Sequence, residues 1–313
     1  MVEGELYCMR RPLQALLVLA SCLNLHAQLV QIVRNQINQG DFGEARKILA
    51  DFKSRHGATP EMLEAHSWLG RGALAAKQLN QADAFAAETY KMCEQALAHR
   101  AMDAEPRLPI AIGASIEVQG QSLAQRGQRS EAVAYLNSQL KRYYKTSIRA
   151  RLQKNLNLLT LEGKPAPPLE MKEFLTNSKL AGGVGQLHGK PTVIFFWAHW
   201  CADCKQQGPI LNRLQQEYPS LQVLAPTQPY GYVAGGVDAP RQAELPYMRQ
   251  VFAQYYASLA PVAVPVSEEN FRAYGVSTTP TVVLLDKAGL VRVYHPGMMS
   301  YDELKAAMRR VMN

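Results

Sequence analysis

The chain has 313 residues, 47% hydrophobic and 19% charged, which is long enough for two cores and too apolar for an intrinsically disordered protein. A net charge of +8 is mild at this length, and five cysteines are too few for a disulfide-stapled scaffold. What remains is an ordinary folded protein of two domains.

The only long apolar run free of charge, Pro12 to Leu25, follows Arg10 and Arg11 and precedes His26 and Ala27. A basic start, a short apolar middle and a small residue at the end read as a secretory signal over residues 1–27, too short to span a membrane. Glu3 and Glu5 spoil the basic start, so Met9 opens a better signal than Met1. Leu19-Ala20-Ser21-Cys22 offers a second route, because it resembles a bacterial lipobox that would place a lipid on Cys22 and tether the protein to a membrane surface. Cleavage after Ala27 is the alternative. Either route exports the chain, with the periplasm as the expected compartment.

Residues 28–161 are rich in Ala, Leu, Gln and Arg, and their apolar residues recur at helical spacing, which predicts an all-α domain. Three stretches share a turn pattern: Gln39-Gly40-Asp41-Phe42, Gln78-Leu79-Asn80-Gln81-Ala82 and Arg126-Gly127-Gln128-Arg129. Ala82 follows Gly70 at the separation at which Ala132 follows Gly120, the placing of small residues in tetratricopeptide-like helical hairpins. Such a stack presents a surface to a protein partner or to an attached domain, and a plain helical bundle is the simpler reading. Cys93, on an apolar-periodic helix, reads as a core thiol. Lys141, Arg142, Lys145, Arg149, Arg151 and Lys154 form a basic run without an acid, read as a solvated helix face, with an anionic membrane or an acidic partner as the sharper alternative. Nucleic acid does not fit an exported protein.

Glu162-Gly163-Lys164-Pro165-Ala166-Pro167-Pro168 ends the helical pattern and opens a second domain, residues 162–313. Strands are predicted at 192–197, 221–225, 262–266, 281–286 and 290–294, and helices at 203–218, 246–259 and 301–311. Strands alternating with helices predict an α/β sheet, closed by an antiparallel hairpin turned at Lys287-Ala288-Gly289. Ser300-Tyr301-Asp302-Glu303 is a capping box for the last helix. Residues 228–246, with Tyr230, Tyr232, Gly231, Gly235 and Gly236, lie outside the periodic elements and read as a loop above the site.

The densest chemistry is Trp200-Cys201-Ala202-Asp203-Cys204, which joins the first of those strands to a helix. Unpaired N–H groups and the helix dipole at that terminus stabilise a thiolate on Cys201, and Cys204 follows on the same face of the first turn. The assignment is Cys201 as nucleophile and Cys204 as resolving thiol. Half of a zinc site is the competing reading, but it needs a second Cys/His pair at ligand spacing, and Cys8, Cys22 and Cys93 are isolated. No metal or organic cofactor is expected beside the redox-active Cys201/Cys204 pair.

Further motifs fall in order around this pair: Gly163-Lys164-Pro165-Ala166-Pro167, Leu187-His188-Gly189-Lys190-Pro191, Phe196-Trp197-Ala198-His199-Trp200-Cys201, Tyr274-Gly275-Val276-Ser277-Thr278-Thr279-Pro280-Thr281, Leu285-Asp286-Lys287-Ala288-Gly289 and His295-Pro296-Gly297. With them the C-terminal half resembles the TlpA-like branch of the thioredoxin superfamily, exported bacterial thiol-disulfide oxidoreductases. The resemblance implies a thioredoxin fold and a cis Pro280 facing the cysteines. It also implies that the Thr279 backbone pairs with an incoming peptide and that Trp200 shields the disulfide. The substrates it implies are oxidised proteins, apocytochromes among them, with a membrane thiol-disulfide carrier as electron donor. Many members keep a buried acid or amide in the strand before the cysteines, where this chain has Phe195, so any proton relay is absent or elsewhere. Asp203 is the nearest candidate, although a carboxylate there also suits a helix N-terminus. Its charge opposes the Cys201 thiolate while the dipole and Lys205 favour it, and the balance tilts the reading to a reductase. His199 reads as an exposed bystander rather than a pH-sensitive neighbour. Two other functions stay open: a scaffold whose helical repeats bind a partner, and a thioredoxin-fold peroxidase, which the lack of a TxxC context disfavours.

Overall fold

A computed structural model describes residues 28–177, 189–259 and 262–312. The signal and lipobox expectations for residues 1–27 lie outside the described residues, as does the beginning of the Leu187–Pro191 motif. None of the described helices is long and apolar enough to cross a membrane. The chain divides into two compact units. One comprises residues up to Ala132 with Thr146–Ile148; the other comprises Val133–Lys145 and Arg149–Asn313.

The first unit is helical: α1 (28–38), α2 (Phe42–His56), α3 (Pro60–Ala75), α4 (Leu79–Leu97), α5 (Arg107–Gln125) and the start of α6 (Arg129–Arg142). The three turn motifs join α1 to α2, α3 to α4 and α5 to α6 with one geometry. Gly40, Lys77 and Gly127 take positive φ (80°, 58° and 80°). In each turn the next residue's N–H reaches back to a carbonyl five residues earlier: Asp41 to Gln36, Gln78 to Ala73 and Gln128 to Leu123. This helix stop satisfies orphan carbonyls and favours glycine, so the middle turn is unusual in placing a lysine there. Helix α3 packs on α4 and α5, around the fully buried Leu63, Leu69, Ile112 and Ile116. At Gly70 an added Cβ would stand 3.5 Å from Ala86 N and 3.6 Å from Ala82 O, so these small residues do meet across α3 and α4. Cys93 is fully buried, and burial, with Glu94 beside it, pushes its thiol up to about 12.

The second unit carries a four-stranded sheet in the order β2-β1-β3-β4, with β1 (Thr192–Phe196), β2 (Gln222–Leu224), β3 (Thr281–Leu285) and β4 (Val291–Pro296). β1 runs parallel to β2 and antiparallel to β3, which pairs antiparallel with β4. Both central strands are buried throughout, and their alternate residues feed two cores. Val193, Phe195, Val282 and Leu284 pack with apolar residues of α8 (Ala202–Glu217), α9 (Arg241–Tyr256) and α11 (Tyr301–Met312). Ile194, Phe196, Val283 and Leu285 pack with Phe271 and Tyr274 of α10 (Glu268–Tyr274) and with Leu161. The capping box forms as read, with Ser300 N–H on Glu303 Oε2 at 2.7 Å and Glu303 N–H on Ser300 Oγ at 3.3 Å.

Five details depart from the sequence reading. Helix α9 begins at Arg241 rather than Pro246 and carries that proline inside it, because the turn before it buries Glu244. Helix α10 has no counterpart in the reading. Residues 262–266 make isolated bridges, Ala263 to Leu224 and Val266 to Thr227, in place of a full strand. Helix α7 (Arg149–Thr160), which the pattern assigned to the helical half, packs on α10 and β4 of the α/β unit. Asn157 Nδ2 donates to Tyr274 O at 2.9 Å, and the α10 cap Gly275 (φ 66°) lies against the α7 backbone. Nor is the basic run freely solvated at Arg149, which forks onto Glu269 at 2.7 and 3.2 Å and lies 4.0 Å over the Tyr144 ring.

Candidate active site

β1 ends beneath the cysteine turn, and the chain leaving it is stitched to the neighbouring segment. Trp197 Nε1 donates to Ala225 O at 2.9 Å, Trp197 N–H to Pro226 O at 3.2 Å, and Thr227 Oγ1 to Trp197 O at 3.0 Å. The buried Trp197 ring also packs on Phe252 and Tyr256 of α9. The turn is therefore fixed from below before any cysteine is placed.

Cys201 and Cys204 are joined in a disulfide, their Cα atoms 5.2 Å apart. Cys201 is itself the N-cap of α8, its Sγ accepting the Cys204 N–H at 3.1 Å. The group that would hold the thiolate charge thus already receives one of the orphan donors of the helix, whose positive dipole end points at it. Cys201 is 3% exposed and Cys204 0%, so both residues are buried in this disulfide form. Asp203 lies exposed in the first turn, and the capping position that its carboxylate was also suited to fill belongs to the Cys201 sulfur.

Trp200 is 49% exposed and stands edge-on to Tyr230 at 5.7 Å. The Thr279–Pro280 peptide is cis. Because Thr281 pairs with Phe196 across β3 and β1, this peptide lies at the end of the sheet from which the cysteine turn leaves. Pro280 is buried, and its carbonyl accepts the Gly297 N–H at 2.7 Å. Gln207 of α8 clasps the following segment, donating to Met299 O at 3.1 Å and accepting Met299 N–H at 2.8 Å. Phe195 is wholly buried, edge-on to Tyr256, and offers no proton-carrying group.

His199 is a correction. It is 1% exposed, not a surface bystander, and its Nε2 lies 3.1 Å from Oε1 of the fully buried Glu244. That carboxylate also accepts the Tyr230 and Gly231 N–H groups at 2.6 and 2.9 Å, so it pins the 228–246 segment to the cysteine turn. The rings of Tyr230, Tyr232 and Tyr247 stand edge-on to the imidazole at 5.3–5.5 Å. Burial lowers the His199 pKa against the raising pull of Glu244, and burial raises the Tyr230 and Tyr232 hydroxyls. Glu244 escaped the sequence reading, although a signal existed: stepping back one helical turn from the buried face of Met248, Val251 and Phe252 lands on it. An acid on the apolar face of a helix marks a buried partner.

Residues 184–312 match the family model described as a thioredoxin-like domain. The chain is 29% identical over 146 residues to the thioredoxin-like protein YneN of Bacillus subtilis, covering 46% of this chain and 76% of the relative. It is 28% identical over 123 residues to the thiol-disulfide oxidoreductase ResA of Geobacillus thermodenitrificans, covering 39% and 64%. Among solved structures, a thiol:disulfide interchange protein of the thioredoxin family from Chlorobium tepidum is 17% identical, with a TM-score of 0.38, covering 49% of this chain and 99% of the other. The C-terminal half of this chain is a thioredoxin-like domain bearing the cysteine pair of a thiol-disulfide oxidoreductase.

Proposed function

We propose that the protein is an exported disulfide reductase acting on oxidised protein substrates. The observation that carries this reading is the disulfide pair at the α8 N-terminus, in which the Cys201 sulfur itself caps the helix by accepting the Cys204 N–H. In the reduced protein the Cys201 thiolate attacks a substrate disulfide, forming a mixed disulfide and expelling one substrate thiolate, which takes up a proton. Cys204, deprotonated, then attacks Cys201 Sγ and releases the second substrate thiol. Two electrons and two protons pass to the substrate, and the Cys201–Cys204 disulfide closes. A membrane thiol carrier returns the electrons by the same exchange in reverse. Trp200 and the Thr279–Pro280 peptide shape the surface that receives the substrate. Export, to the periplasm and with Cys22 as a lipid tether if the lipobox is used, rests on the grammar of residues 9–27.

The test is insulin disulfide reduction with dithiothreitol as electron source. The full chain accelerates precipitation of the insulin B chain, Cys201→Ser abolishes the acceleration, and Cys204→Ala accumulates mixed disulfides. Equal rates with and without the protein would end this reading.

A further inference from the structure

The turn that carries the nucleophile holds one buried polar side chain that the exchange steps leave unused. Cys201 N–H donates to Ala198 O at 3.2 Å, closing a four-residue turn with His199 and Trp200 at its centre. Trp200 faces out and His199 faces in. Two residues of chain span no more than about 7 Å, so the His199 backbone lies within that distance of Cys201. The Glu244 carboxylate has only acceptors to offer, so the proton between it and His199 sits on Nε2. His199 Nδ1, shielded from solvent, has no hydrogen-bond partner among the described residues. The groups facing the ring are Glu244 and Tyr247 of α9, Tyr230 and Tyr232 of the preceding segment, and Lys205 of α8. A buried carboxylate is costly unless its acceptors are filled, and here three N–H groups fill them.

We propose that Glu244, acting through His199, is a positioning pair that destabilises the Cys201 thiolate and so sets this domain as a reductant; the proposal rests on the thiol-exchange reading and deepens it. Glu244 puts a negative charge beneath the nucleophile's turn, with the same sign of effect as Asp203 at its mouth. The two differ in burial. Asp203 is exposed, where salt screens charges over about 8–10 Å, whereas Glu244 is 0% exposed and its field is not relieved by added salt. A less stable thiolate shifts the thiol–disulfide balance toward the disulfide, which makes the reduced protein a stronger donor. Protonation of His199 neutralises the pair and cancels the effect. Because burial holds the ring neutral to a lower pH than an ordinary imidazole, that loss falls on the acid side of the usual range.

The experiment measures the equilibrium of the full chain with glutathione across pH and salt, together with a thiolate absorbance titration. Glu244→Gln is expected to move the equilibrium toward the reduced protein by about threefold to tenfold, or about 14–30 mV, with the shift unchanged at high salt. Asp203→Asn moves it in the same direction, and its shift shrinks as salt rises. His199→Gln keeps an N–H donor for Glu244 but cannot titrate, so it matches the wild type at neutral pH and loses the acid-side inflection. That profile decides the matter if Glu244→Gln fails to fold. A folded Glu244→Gln with an unmoved equilibrium and thiolate titration would overturn the proposal, as would a His199→Gln profile identical to the wild type. Insulin turnover by the wild type is run alongside: its absence sinks the exchange reading itself, whereas turnover with unmoved equilibria sinks only the role of the pair.

Discussion

Replacing Gly275 by alanine tests how the α/β unit is closed. Gly275 caps α10 at φ 66°, where an L side chain costs about 1–2 kcal/mol. Its added Cβ would stand 2.6 Å from Gln153 C and 2.8 Å from Lys154 Cα, with Lys154 N nearer still. All three are backbone atoms of α7, so relief requires moving a helix rather than turning a side chain, at a further cost of about 1–3 kcal/mol. The sum is about 2–5 kcal/mol, a large fraction of the 5–15 kcal/mol typical of a domain. Gly163→Ala is the internal control, since Gly163 has φ 80° but open space around its Cβ position and bears only the conformational part. Urea unfolding followed by the fluorescence of the buried Trp197 measures both variants. A Gly275→Ala loss no greater than that of Gly163→Ala would refute the seating of α7 against α10.

The same packing predicts that a fragment beginning at Arg149 folds and reduces insulin, whereas one beginning at Gly163, which lacks the Asn157 bond to Tyr274 and the α7 wall, melts lower or aggregates; thermal melts of the two decide it. Lys77→Gly relieves the left-handed lysine in the middle hairpin turn and is expected to stabilise the helical unit by about 0.5–1 kcal/mol in urea, while Gly127→Lys does the reverse. Cys93, with its thiol pushed up to about 12, stays unlabelled by iodoacetamide at pH 8 in the native protein and reacts only after unfolding; native labelling would contradict its burial. The sign of its linkage follows: its folded pKa lies above the unfolded value, so stability falls as pH rises from about 9 toward about 12.

Much of this protein is local and therefore legible in the chain. The helix stops at Gly40 and Gly127, the Ser300–Glu303 capping box, the strand 192–196 and the helix that starts beside the cysteines follow from backbone preference and short-range hydrogen bonding. The Cys201–Cys204 spacing is likewise a property of one helical turn. What the chain did not reveal joins residues far apart in sequence. Helix α7 looked like its helical neighbours, because periodicity reports that a face is buried and not what buries it; its contacts with α10, Tyr274 and Gly275 among them, assign it to the α/β unit. Pro246 looked like a helix start, yet α9 begins a turn earlier because Glu244 is held by His199 and two backbone N–H groups. His199 looked like a surface residue because a lone histidine beside a reactive turn carries no periodic signal, and its burial depends on an acid 45 positions away. The cysteine pair and its spacing are written in the sequence, whereas the seating of Glu244 against His199, Tyr230 and Gly231 is decided by tertiary packing, since a buried carboxylate exists only where the fold brings its donors together.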